Sequence, residues 1–310
     1  MTLVQYQYIV AVDEERHFAL AAEKCFVTQP TLSMQIQKLE DQLGVMIFDR
    51  SKHPVLPTDI GQQIIAQARI ILHENSQLQS IIDKEKEIVA GTLKVGIIPT
   101  LSPYLLPLFL TSFIEKYPDI HLVVQELITE EIVKKLQSDQ LDAGIFVTPS
   151  GVDGLQEKVL FYEKFAAYLG QDHPLSVNEM MAPKDFEQSE LWVLNEGHCF
   201  RNQVLNICKN KGKEQENFKF ESGSLEALKR LVDKFGGMTL LPELATLEMT
   251  DVELNNVRQF EEPSPVREVS LVYHRSFLKH QLIKSLYDEI KQAIPNNIHS
   301  EKYGKVIRWQ

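Results

Sequence analysis

The sequence predicts a multidomain α/β protein. An all-α helix-turn-helix module comes first, then one long helix, then a larger α/β domain built on a parallel sheet. Three observations predict this. Residues 1–58 read as short amphipathic helices. Residues 59–89 read as a single helix, with no Gly or Pro after Gly61. From Gly91 onward, short β-branched runs alternate with helical patterns, as expected for helices packed over a parallel sheet. The length of 310 residues is about twice the ~150-residue prior for one domain.

The elements follow in order. Ala19, Ala21 and Ala22 make a close-packing helix face. Thr28 is a good N-cap, Gln29 and Pro30 sit in a first turn, and Thr31 to Leu39 carry the next helix. Leu32, Ile36, Leu39 and Leu43 recur at helical spacing and read as core. Gln29, Thr31, Ser33, Gln35 and Lys38 form the polar side. In a helix-turn-helix that side lies in the DNA major groove; a solvated helix surface is the competing reading. In 59–89, Ile64, Ala68, Ile71, Leu78 and Ile82 alternate steps of four and three, with Asn75 filling one slot. That spacing is a heptad seam and reads as a dimerisation helix, with a polar residue that limits partner choice. Packing on its own domain is the alternative.

Beyond Gly91, strands are predicted at 92–98, 121–125, 141–147, 165–169, 191–194, 218–221, 238–241 and 268–273. Helices are predicted at 102–116, 130–138, 200–211, 225–235 and 277–293. Residues 295–310 read as a polar tail without a core signal.

Composition excludes several classes. Hydrophobic residues make up 44% and charged residues 24%, a globular balance that excludes disordered and fibrous chains. The densest apolar run, Tyr104–Phe113, is short and contains Pro107, so no membrane span is expected. The N-terminal segment lacks a basic stretch and a small-residue cleavage site, and three cysteines are too few for a disulfide scaffold. A reducing, cytoplasmic address fits. Net charge is -11, and residues 1–60 carry 5 Lys/Arg against 8 Asp/Glu. Charge alone therefore argues against nucleic-acid binding, which must rest on motif geometry. The common Gly-rich nucleotide loops and the hydrolase elbow are absent, and no cofactor is expected.

The stretch Phe18 to Arg50, FALAAEKCFVTQPTLSMQIQKLEDQLGVMIFDR, followed by Thr58 and Gly61, resembles the LysR-type transcriptional regulators. The resemblance implies a winged helix-turn-helix over 1–58 and a linker and dimerisation helix over 59–89. It also implies a two-lobed effector domain over 90–300, similar to periplasmic binding proteins, and a tail over 301–310. Lobe I would take 90–162 and 267–300, and lobe II 163–266. It further implies homodimers or homotetramers bound to double-stranded promoter DNA, with Gln29, Pro30, Thr31 and Ser33 approaching bases. Arg50 and Thr58 would approach phosphates. With so few cations, the salt dependence per subunit should be modest.

One further segment carries chemistry: EGHCFRNQVLNIC, residues 196–208. Cys199 begins a predicted helix. Three effects would lower its pKa: the helix N-terminus, the adjacent His198 imidazole if protonated, and nearby Arg201; Glu196 opposes them. A thiolate attacks peroxide to give a sulfenic acid. Cys208 follows nine residues later, a rise of about 13.5 Å in a continuous helix. A disulfide needs Cα atoms within about 7 Å. The pair cannot close while the segment stays helical, so oxidation would have to rearrange it. From spacing alone, two unrelated buried thiols are the commoner case, and a metal site on Cys199, Cys208 and His198 is weaker still. Cys25 reads as core.

The segment is similar to that of the hydrogen peroxide-sensing subfamily of these regulators. By that resemblance Cys199 is the peroxidatic cysteine and Cys208 the resolving one. Thr100 holds the peroxide, and Arg267 stabilises the thiolate. Thr129 matches a polar residue near the pocket and equally reads as a helix N-cap. The implied function is activation of an oxidative stress response by a Cys199–Cys208 disulfide. Implied partners are hydrogen peroxide, RNA polymerase and a cellular thiol reductant of the glutaredoxin or thioredoxin type, with no membrane. Two alternatives remain open: a regulator that binds a small organic effector and carries inert cysteines, and a thiol peroxidase, against which the N-terminal motif argues.

Overall fold

The computed structural model describes residues 1–85, 90–186, 191–208, 222–274, 280–298 and 304–308, with side chains except at 73 and 76–85. The chain forms two compact units, Met1–Ile88 and, for the most part, the residues from Val89 on.

In the first unit, α1 (Leu3–Glu15) starts on a Thr2–Gln5 capping box. It is followed by α2 (Phe18–Lys24) and α3 (Gln29–Leu43). The Thr28 hydroxyl caps α3, Pro30 sits in its first turn, and Gly44 ends it at φ +70°, a conformation that favours glycine. Two short antiparallel strands, β1 (Phe48–Asp49) and β2 (Leu56–Pro57), form a wing. The long helix α4 spans Asp59–Glu85. Leu32, Ile36 and Leu39 are buried with Ile9, Val12, Ala21, Ala22 and Phe48, as their helical spacing predicts.

In the N-terminal half of α4, part of the predicted seam packs within its own unit. Ile65 and Ala68 are buried in this unit's own core, Ile64 packs against it, and Asn75 is exposed. Buried Arg69 pairs with Asp13 at 3.0 Å and Glu14 at 2.7 Å on α1. The side chains of Leu78 and Ile82 lie outside the described residues.

The second unit contains β3 (Gly91–Ile97), α5 (Ser102–Lys116), β4 (Ile120–Glu126), α6 (Thr129–Gln137) and β5 (Ala143–Thr148). Then come β6 (Leu155–Leu169), β7 (Met180–Met181), α7 (Cys199–Cys208), α8 (Leu225–Phe235) and β8 (Met238–Pro242). The series closes with α9 (Asp251–Leu254), β9 (Val257–Phe260), β10 (Pro265–His274), α10 (His280–Ala293) and β11 (Lys305–Val306).

The strand order is β4-β3-β5-β10-β6-β9-β7, with β11 on β10 and β8 on β6. β4-β3-β5 follows the expected parallel pattern, and the short pairs β7-β9 and β10-β11 are also parallel, but β10 enters antiparallel between β5 and β6. The reason is topological. β6 carries the chain out of the first lobe into the second, and β10 brings it back beside β6. Each lobe has its own core. One includes Phe109, Phe113, Phe146 and Phe161, the other Phe165, Tyr168, Phe186 and Phe200.

Several expectations need correction. Residues 155–164 belong to a strand. Of 191–194, only Leu191 pairs, through one bridge to Met238. The tail is partly docked: Ile298 is buried in the first lobe's core, and β11 pairs with β10. The predicted strand at 218–221, and the helical positions 209–211 and 277–279, lie outside the described residues.

Candidate functional site

Cys199 is the first residue of α7, and its thiol is buried. Most of α7 packs into the second lobe's core, yet Cys199 packs with the first lobe's. The thiol therefore sits where the two cores meet. Gly197, at φ +91°, turns the chain into the helix in a conformation few side chains adopt.

Around the thiol the structure gathers residues that lie far apart in sequence. Arg267 and Glu163 are direct cross-strand neighbours on β10 and β6. Both are fully buried, and Arg267 Nε donates to Glu163 Oε2 at 2.7 Å. The same guanidinium reaches Thr100, donating to its Oγ1 at 3.0 Å and its carbonyl at 3.1 Å. It also lies 5.3 Å from the Phe200 ring centroid. Glu163 Oε1 accepts from the Leu244 N–H at 2.8 Å. One ion pair thus ties both crossing strands to the start of α5, to α7 and to the second lobe.

Burial raises the Cys199 pKa. The Arg267 charge, the Thr129 hydroxyl and the backbone N–H groups at the start of α7 oppose it. Thr129 does not act as a helix cap: its Oγ1 is buried and has no hydrogen-bond partner among the described residues. The source of positive charge differs from the sequence reading. The His198 pKa is lowered by burial, so its imidazole is neutral at pH 7. Arg201 donates to the Leu194 carbonyl at 2.7 Å. Arg267 is the cation that favours the thiolate, and its pairing with Glu163 tempers it.

Cys208 ends α7 and is fully buried, its pKa pushed up to about 12 by desolvation. The cysteines are free and separated by the whole helix. Cys25 is half-buried against the first unit's core. Among the described residues no His, Cys, Asp and Glu group has metal-binding geometry, and no helix is long and apolar enough to cross a membrane.

On the first unit, Gln29, Pro30, Thr31 and Lys38 are exposed along α3, and Ser33 and Gln35 are half-buried. Gln35 also accepts from Gln5 on α1 at 3.4 Å. Two predicted phosphate contacts are occupied internally. Arg50 pairs with buried Glu40 at 2.8 Å and covers the Phe18 ring. Thr58 donates to the Met46 carbonyl at 2.7 Å and accepts from the Gly61 N–H at 3.0 Å. A Cβ on Gly61 would strike the Ile47 carbonyl, so Thr58 and Gly61 form the joint between wing and helix. A search restricted to polar residues misses Met34, 59% exposed between Pro30 and Lys38 on the same helical stripe. It also misses Phe26, 97% exposed in the turn before α3. The spacing 30, 34, 38 was signal enough for Met34. Nothing local marks Glu163.

Comparison with known proteins identifies the family and the fold. The family described as bacterial regulatory helix-turn-helix protein, lysR family, matches residues 3–62. The LysR substrate binding domain family matches residues 86–295. A hydrogen peroxide-inducible genes activator of Dickeya chrysanthemi is 34% identical over 97% of this chain and 98% of its own. The Escherichia coli DNA-binding transcriptional dual regulator OxyR is 34% identical over 99% of both chains. Among solved structures, a mutant of full-length OxyR from Pseudomonas aeruginosa superposes with TM-score 0.81 at 35% identity, over 94% of this chain and 98% of that one. A hydrogen peroxide-bound OxyR mutant of Corynebacterium glutamicum gives 0.62 at 28% identity, over 94% and 92%.

Proposed function

The chain belongs to the LysR family of helix-turn-helix transcriptional regulators, and from that premise we propose that hydrogen peroxide switches it through Cys199 and Cys208. The names of its relatives support a peroxide-responsive regulator. The observation that carries the assignment to these residues is the unpartnered Thr129 hydroxyl at the buried Cys199 thiol. A buried hydroxyl without a partner costs about 1–3 kcal/mol. That cost has a purpose where a peroxide oxygen enters and needs a donor.

The steps follow from the geometry. Arg267, Thr129 and the helix N-terminus favour the Cys199 thiolate. It attacks one peroxide oxygen, the O–O bond breaks, and the departing hydroxide takes a proton and leaves as water. Cys199 is then a sulfenic acid. Thr100 is held by Arg267 and positions the incoming oxygen; neutral His198 flanks the site. The Cys208 thiolate attacks the sulfenic sulfur, the S–O bond breaks, and a second water leaves. Two thiols have lost two electrons, and one peroxide has been reduced to two waters. α7 must unwind for this step, so a local oxidation becomes a change of fold.

The readout is DNA. Gln29, Pro30, Thr31, Ser33 and Lys38 face the major groove, with Gln35 at the edge of that face. Arg50 and Thr58 hold the wing instead of touching phosphate. We assign 1–58 to DNA binding, 59–89 to the linker and 90–300 to the effector domain. Lobe I takes 90–162 and 267–300, lobe II 163–266, with a tail from 301 of which residues 304–308 dock on the effector domain. The working protein is a cytoplasmic homodimer or homotetramer. It acts on promoter DNA with RNA polymerase, is reset by a glutaredoxin- or thioredoxin-type reductant, and is a regulator rather than an enzyme.

Non-reducing peptide mass mapping, before and after a small molar excess of hydrogen peroxide, tests this. A rapid Cys199–Cys208 link reversed by a dithiol is expected. Cys199→Ser should abolish it, and Cys208→Ser should stop at a sulfenic acid. Two untouched thiols would overturn the assignment.

A further inference from the structure

The docked end of the chain bears on the same chemistry. β11 lies parallel to β10 at Pro265 and Val266, immediately before Arg267. The Lys305 N–H donates to the Ser264 carbonyl at 2.8 Å, and the Ile307 N–H to the Val266 carbonyl at 2.9 Å. On its other side the segment meets α7. Gln203 Nε2 donates to the Ile307 carbonyl at 2.6 Å, and Asn206 Nδ2 to the Arg308 carbonyl at 3.0 Å. These two residues are one helical step of three apart, and both lie between the two cysteines. Gln203 is fully buried, and its Oε1 has no partner among the described residues. Ile307 packs into the core that α7 shares. Gly304 sits at φ +97°, where a Cβ would overlap the Ser264 carbonyl, so docking requires glycine there.

We propose that residues 304–308 are a strap that positions α7 and thereby sets both the rate of the resolving step and the potential of the dithiol. The proposal rests on the reading of Cys199 and Cys208 as a disulfide-forming pair. In helical form the two Cα atoms are about 13.5 Å apart, and the bond needs them within about 7 Å. Opening α7 between the cysteines displaces Gln203 and Asn206 from the strap carbonyls. Contacts made only with the helical dithiol oppose the disulfide, and loosening them favours it. The strap acts on the second step alone: Cys208 sulfur bonds to Cys199 sulfur, the S–O bond breaks, and the hydroxyl leaves as water with the Cys208 proton.

Two strap-side variants of the full chain test this, Gly304→Val and Lys305→Pro. The first blocks docking and the second removes one N–H donor; both leave α7, the cysteines and Arg267 unchanged. Three quantities are read: sulfenic acid formation with hydrogen peroxide in a Cys208→Ser background, disulfide formation after a single oxidation, and the dithiol–disulfide equilibrium in a redox buffer. Sulfenic acid formation should stay within about twofold. Disulfide formation should be about tenfold faster, matching the loss of a pair of modest hydrogen bonds. The equilibrium should move about tenfold toward the disulfide, about 30 mV more negative. Should Gly304→Val fail to fold, Lys305→Pro carries the test. Folded variants with wild-type resolving rate and potential overturn the strap while leaving the disulfide intact. A wild-type protein that forms no Cys199–Cys208 bond overturns the disulfide reading and the strap with it.

Discussion

Thr129→Val separates function from stability more sharply than any other change at the site. Valine matches threonine in shape and removes only the hydroxyl, which has no nitrogen or oxygen partner among the described residues and lies beside the Cys199 thiol. Losing an unpartnered buried hydroxyl relieves a desolvation cost, so reduced Thr129→Val should be about 1 kcal/mol more stable than wild type. For a unit of this size that is a rise of about 2–4 °C in Tm. The reaction should move the other way. A hydrogen bond to a charged group is worth about 1.5–3 kcal/mol, so losing it at the thiolate or the peroxide oxygen slows oxidation by about 10- to 100-fold. The assay is quenched-flow alkylation of Cys199 under excess hydrogen peroxide, paired with thermal melting of the reduced protein. A variant that is slower and also less stable by more than about 1 kcal/mol would show the hydroxyl to be a structural cap. A variant with wild-type kinetics would remove Thr129 from the site.

Arg267→Met should leave Glu163 buried and unpaired, costing about 3–5 kcal/mol in a denaturant titration, and should push the Cys199 pKa higher still. Because burial holds that pKa above its ordinary value, wild-type oxidation should accelerate as pH rises above neutrality; a flat rate from pH 7 to 9 would contradict this. The Cys208 thiol is raised from 9.0 to about 12 in the folded state. Its contribution is therefore complete below about pH 9 and is lost as pH climbs toward about 12, and Cys208→Ala should flatten that part of a stability–pH curve. Arg50→Met should lower first-unit stability by about 1–3 kcal/mol and leave the salt dependence of DNA binding unchanged. A slope reduced by about one per subunit would restore Arg50 as a phosphate contact.

What the sequence disclosed depended on the range of each signal. The helices at Ser102–Lys116 and Leu225–Phe235 stand at their predicted bounds, because a 3.6-residue period and the Pro118 or Gly236 beyond it are wholly local. The sequence pattern marks only the last five residues of β6 as strand. Its first part, LQEKVLFYEK, carries four charges in ten positions and resembles a solvated loop until β10 lies beside it. Cys199 was legible for the same local reason as the helices, at the head of an amphipathic run. Its electrostatics were not. His198 lost its charge to burial, Arg201 turned to a backbone carbonyl, and Arg267 arrived from a distant strand with Glu163 already bound. Arg50 and Thr58 show the same limit from the other side. They match positions associated with DNA, yet each has an internal partner that only the fold supplies.

In the proposed mechanism the two buried thiols divide the task between sensitivity and memory. Cys199 is buried beside groups that stabilise negative charge, the Arg267 guanidinium, the Thr129 hydroxyl and the backbone N–H groups at the start of α7. Cys208 has none of these. Desolvation alone acts on it, and holds it as an unreactive thiol near pH 7. Were it solvent-exposed and adjacent, each sulfenic acid would resolve at once, and the disulfide would form without any change of fold. Placing it at the far end of α7 makes resolution conditional on unwinding, and unwinding brings Cys208 out of the core that raises its pKa. The same motion that shortens the sulfur–sulfur distance therefore also makes the nucleophile. On that mechanism, sensor chemistry and conformational change are coupled because one helix must be lost for either thiol to meet the other.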